Sequence, residues 1–111
     1  HSYLKKNQIQ MHLTLVPLPF AWPDETPVGK QHPLYGWPTD FSVSQAGIEA
    51  HTRAFAQRQS IDWIDLQSAF DRHKEHTGEQ LFNRADGHWN AAGHRVVSDA
   101  LRTYFSDRNA P

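Results

Sequence analysis

The sequence predicts an α/β fold, a short parallel sheet covered by helices. Two features carry that expectation. Short β-type runs at residues 11–16 and 61–66 are separated by a helix-patterned segment, and two more helical stretches follow the second run. Strands that alternate with helices are joined by crossovers, and crossovers make neighbouring strands parallel. Two strands are too few for a sheet that stands alone, so the chain reads as half of a larger unit.

Taken in order, residues 3–8 form the tail of a helix that leads into the first strand. In "MHLTLV", Met11, Leu13 and Leu15 alternate with His12, Thr14 and Val16, which is the period-two pattern of a strand, ended by Pro17. Residues 17–38 hold six of the seven prolines, interleaved with Phe20, Trp22, Tyr35 and Trp37. Proline removes amide donors and turns its predecessor away from helix, so residues 17–42 are expected as a long Pro- and aromatic-rich loop. Long loops of this kind often carry function. Trp22, Tyr35 and Trp37 are its candidate stacking platforms for a substrate, against the plainer reading of an aromatic-pinned surface crossover.

Ser42 or Ser44 caps a second helix, with Ile48, His51 or Ala54, and Phe55 along one stripe, ending near Gln59. "IDWIDL" supplies the second strand, with Ile61, Trp63 and Asp65 on one face. A helix over residues 67–76 stops at Gly78, a good residue to leave a helix in the left-handed region. The last helix is the clearest. Asn90 caps it, and Val96, Val97, Ala100, Leu101, Tyr104 and Phe105 recur at three- and four-residue spacing.

Bulk properties bound the function. A chain of 111 residues is one domain, read as 1–111, and 38% hydrophobic residues give it material for a core. A net charge of −1 argues against a nucleic-acid binder. No apolar run reaches the roughly 20 residues of a membrane span. "HSYLKKNQIQ" lacks the apolar stretch of a signal peptide. The absence of cysteine excludes disulfides and thiolate metal sites and is compatible with cytoplasm or periplasm alike.

Chemistry concentrates in "FNRADGHWNAAGHRVV". In an extended segment Asp86 and His88 project to the same side, while Trp89 turns the other way. Gly87 between them lets the backbone bend. A carboxylate that accepts the imidazole Nδ1–H fixes the tautomer and leaves Nε2 to take a proton from a nucleophile. Other readings stand beside this one. Asp86 before Gly87 also suits an ordinary turn, His88 a half-buried, backbone-bonded histidine, and Asp86, His88 and His94 together a metal site. Against the metal, His94 lies a turn inside the helix and no HExxH-type pair supports it.

The stretch "LFNRADGHWNAAGHRVVSDAL" resembles the last sequence block of the SGNH (GDSL-type) hydrolase superfamily. There an Asp and a His shortly before the final helix complete a Ser-His-Asp triad. The run Asn90, Ala91, Ala92, Gly93, His94 is similar to the Asn-x-x-Gly-His of many members, and "MHLTLVPLP" and "SIDWIDLQSAF" resemble the late strands upstream of that block. The resemblance implies a partial three-layer, flavodoxin-like α/β/α fold, the C-terminal half of such an enzyme. It also implies His88 as general base and Asp86 as its orienter, with only Gly87 between them where many members have two residues. It implies no cofactor. The reaction would be hydrolysis of, or O-acyl transfer to or from, a small-molecule or carbohydrate ester.

The family's nucleophile does not accompany the pair. The chain has no Gly-Asp-Ser and no Gly-x-Asn-Asp, and none of its serines sits on a strand-to-helix turn between small residues. The expectation is therefore a portion of an esterase or acyltransferase whose Ser and oxyanion donors come from elsewhere. An N-terminal half or a second copy would cover the exposed sheet. A non-catalytic binding domain that uses the aromatic loop is the other class of reading.

Overall fold

The computed structural model describes residues 2–22, 24–25 and 41–109. Its order is α1 (Ser2–Lys6), β1 (His12–Leu13), a 3-10 turn (Pro19–Ala21), α2 (Phe41–Arg58), β2 (Asp62–Trp63), α3 (Leu66–Thr77) and α4 (Ala91–Asn109). β1 and β2 pair in parallel, His12 beside Asp62 and Leu13 beside Trp63. The fold is mixed α/β, as the alternation of patterns requires.

Successive strand residues point to opposite faces, and the contacts follow that rule. On one face, His12 Nδ1 lies 2.9 Å from the Tyr104 hydroxyl and Asp62 accepts from Arg108, both on α4. One residue along, the Trp63 ring carries the Arg53 guanidinium of α2 over it at 5.2 Å. The two strands therefore have α4 on one side and α2 on the other, a small three-layer stack.

The strands are shorter than the alternating patterns suggest. Ile64 N–H still donates to Leu13 O, but the Thr14 hydroxyl then donates to the Ile64 carbonyl at 2.7 Å. Asp65 leaves the strand to cap α3, accepting from Ser68 N–H at 2.9 Å and Ser68 Oγ at 2.7 Å. Burial works against the Asp65 charge, yet the Ser68 donors and Arg53 outweigh it and hold the carboxyl below its usual range. The far end of α3 stops at Gly78, whose φ of 65° is the left-handed conformation expected there.

Two helices depart from expectation. α4 runs to Asn109, four residues past the last apolar position of its stripe, about 28 Å in all. α2 does not bury the predicted stripe. Ile48 and Phe55 are 49% and 44% exposed, and Ala56 makes the close approach instead. The reason is the return to β2: Ile61 N–H bonds back to Ala56 O at 2.8 Å, with Ser60 in a left-handed turn at φ 54°. That turn brings the Ala56 side of α2 onto the strand.

The main apolar cluster lies at the other end, among Trp22, Phe70, Leu81, Phe82, Ala92 and Val96, with Ala69, Trp89 and Val97 packed against it. Phe70 is fully buried and touches the rings of Trp22, Phe82 and Trp89 at 5.6–5.9 Å. No helix among the described residues is long and apolar enough to cross a membrane. Replacing Phe70 by Ala empties the middle of this cluster and is expected to cost about 3–5 kcal/mol in urea unfolding; a loss under about 1 kcal/mol would show that the cluster is not the core.

Candidate active site

Asp86 and His88 lie on a six-residue loop between two antiparallel limbs. Phe82 and Trp89 form the bridge at its base. Asn83 N–H donates to His88 O and Gly87 N–H to Asn83 O, both at 2.8 Å. The loop closes because Gly87 takes φ 73°, which side-chain-bearing residues resist. An added Cβ there would also stand 3.3 Å from Pro19 Cγ.

Within this turn the two side chains meet. Asp86 Oδ2 is 3.3 Å from His88 Nδ1, and Asp86 Oδ1 accepts the His88 backbone N–H at 3.0 Å. Both groups face solvent, His88 at 77% and Asp86 at 51% of the side chain. The His88 amide bond, reinforced by the imidazole, holds the Asp86 carboxyl below its usual range. That contribution is present at neutral pH and disappears as acid protonates the carboxylate. A carboxylate on Nδ1 leaves Nε2 as the free nitrogen, the one a base would use.

Packing beneath the loop sets its height. Trp89 turns inward, and its indole N–H donates to Pro17 O at 3.1 Å. Pro17 and Pro19 follow β1, so the pair stands beyond the carboxyl end of the parallel strands, where α/β folds place their ligands.

The residues after His88 fasten the loop to α4. Asn90 caps the helix by accepting Gly93 N–H at 3.0 Å, donates its backbone N–H to Leu81 O at 2.9 Å, and gives its side-chain amide to Gln80 O at 2.9 Å. Gly93 is there because Leu81 O presses on it: a Cβ would stand 2.3 Å from that oxygen and 3.0 Å from Trp89 Cβ. His94 turns its ring edge-on to Trp89, with centroids 5.5 Å apart.

The other sequence candidates fare differently. Trp22 is packed into the core, stacked on Phe70 and beside Phe82, with its indole N–H on Asp71 at 3.0 Å. A ring that fills the cluster in this way is not displayed for stacking on a ligand. Tyr35 and Trp37 lie outside the described residues. Among the described residues no three His, Asp or Glu side chains gather as a metal site, so Asp86, His88 and His94 do not form one here.

One contributor carried no sequence signal. Glu25 is fully buried and accepts from the backbone N–H groups of both Leu81 and Phe82. Lys74 Nζ meets it at 2.8 Å and Asp24 at 2.7 Å. Burial opposes the Lys74 charge, but the two carboxylates outweigh it and hold the ammonium above its usual value.

A family model described as an SGNH hydrolase-like domain, acetyltransferase AlgX, matches residues 22–110. No curated protein and no solved structure gives a significant match.

Two outcomes test this geometry. Gly93→Ala should lose about 1–3 kcal/mol in urea unfolding, because a backbone oxygen must move to admit the methyl group; unchanged stability would contradict the close approach. The Asp86 carboxyl carbon, followed by NMR, should titrate below the ordinary ~3.9 and rise in His88→Ala; an unmoved midpoint would mean that the two groups do not interact.

Proposed function

Because the chain belongs to the family of SGNH hydrolase-like domains that includes the acetyltransferase AlgX, we propose that it supplies the Asp-His half of an acyl-transfer site. His88 is the general base, and Asp86 holds its ring. The serine nucleophile and the oxyanion donors come from polypeptide outside these 111 residues or from a partner chain.

The observation that supports this most directly is the contact between Asp86 Oδ2 and His88 Nδ1 on a solvent-facing loop beyond the strand ends. In the proposed step His88 Nε2 removes the proton from the serine hydroxyl as the oxygen attacks the acyl carbon. The ring then carries a positive charge that Asp86 stabilises, and the proton passes on to the departing alcohol. Collapse of the tetrahedral intermediate leaves an acyl-serine. Water completes a hydrolysis, and a sugar or other alcohol completes an O-acyl transfer.

The exposure of the pair suits this division of labour. A base that must reach a hydroxyl carried by another segment has to present Nε2 outward. A small-molecule or carbohydrate ester fits the family. The aromatic-platform reading has less support, since the described member of that group, Trp22, is enclosed in the core.

The test is p-nitrophenyl acetate turnover, with fluorophosphonate labelling of the serine, by the chain together with the polypeptide that carries that serine. His88→Ala should reduce both by about 10²–10⁴-fold. Asp86→Asn should lower turnover without loss of fold. Turnover that survives His88→Ala unchanged would end the proposal.

A further inference from the structure

We infer that Glu25 is a positioning residue: through its buried carboxylate it fixes the loop that presents Asp86 and His88. This rests on the functional reading above and deepens it.

An imidazole and a carboxylate two residues apart on an exposed turn are held to each other by local bonds. Those bonds do not fix where the turn as a whole stands. Acyl transfer needs the base within hydrogen-bond reach of the serine, and small displacements of such groups cost rate steeply. Something must therefore anchor the limbs.

The returning limb is anchored by Trp89 on Pro17 O and by Asn90 at the start of α4. The incoming limb, Leu81–Phe82, has its amides turned to a single side chain from far away in sequence. Glu25 Oε1 accepts Leu81 N–H and Glu25 Oε2 accepts Phe82 N–H at 3.3 Å. On the other side of the same limb, Leu81 O accepts Asn90 N–H at 2.9 Å. The peptide is thus tied front and back, to Glu25 and to α4.

An ion of this kind needs a reason to be buried. A fully enclosed carboxylate is costly unless each oxygen is satisfied. Here three donors satisfy it: two amides and the Lys74 ammonium, itself only 9% exposed. Lys74 reaches on to Asp24 and to Glu79 O at 3.4 Å, so the arrangement ties α3, the segment after Trp22 and the incoming limb into one unit. A glutamine cannot replace it. Its oxygen would accept one amide, its NH₂ would face the second amide donor, and Lys74 would lose its counter-charge.

Glu25→Gln in the 111-residue chain, compared with His88→Ala by NMR, tests the inference. Amide exchange at Leu81, Phe82 and Asn83 should speed up about tenfold or more in Glu25→Gln, with that at Leu101 in α4 unchanged. The Asp86 carboxyl midpoint, which reports the local contact with His88, should stay where it is in the unchanged chain. If His88→Ala moves the Asp86 midpoint and Glu25→Gln leaves the loop amides unchanged, Glu25 has no positioning role and the pair stands. If His88→Ala itself moves nothing, the pair fails first. Should Glu25→Gln not fold, Glu25→Asp, one methylene shorter, takes its place: faster loop amides support the anchor, and unchanged ones overturn it.

Discussion

Leu81 is the residue on which the candidate site hangs. Its N–H goes to the buried Glu25 carboxylate and its carbonyl accepts from Asn90, the cap of the last helix, so one residue joins the segment after Trp22 to the start of α4. The loop grows outward from that fixed peptide. Its geometry is then local: one left-handed glycine, two backbone bonds across the turn, and a carboxylate that reaches both the amide and the ring of the residue two ahead. Rigid support below and a short polar turn above together let two ionisable groups stay exposed without wandering.

The terminal block was readable because its chemistry is local. Asp86, Gly87 and His88 meet within three residues, so spacing alone predicts that they face one another. Asn90 as helix cap and Gly78 as helix stop are likewise short-range facts. What spacing could not show is what a residue does at a distance. Gly93 enters the sequence reading only as a member of the Asn-x-x-Gly-His run, and its physical reason, a missing Cβ that makes room for Leu81 O, comes from the fold. Glu25 looks like one more polar residue beside prolines, and only the folded chain brings it to Leu81 and Phe82. A cue for Gly93 lay in its position three residues after the cap, where a helix rarely benefits from glycine.

The apolar patterns misled where partners decide burial. The stripe through Ile48 and Phe55 is a sound helical stripe, but the turn at Ser60 lays α2 on its Ala56 side. Trp22 lies in the core for a related reason: in a proline-rich segment periodicity gives no face, and a large ring goes wherever an aromatic cluster can surround it. The strand patterns overshot because Thr14 and Asp65 commit their polar groups to bonds other than the ladder.

Pro17 lacks an amide hydrogen and could not donate to a neighbouring strand even if the ladder ran on past Thr14. Its carbonyl is instead claimed by the Trp89 indole. Sheet growth and loop seating thus compete for the same stretch of backbone: a ladder carried through Pro17 O would have to evict the indole, and with it the floor under the histidine.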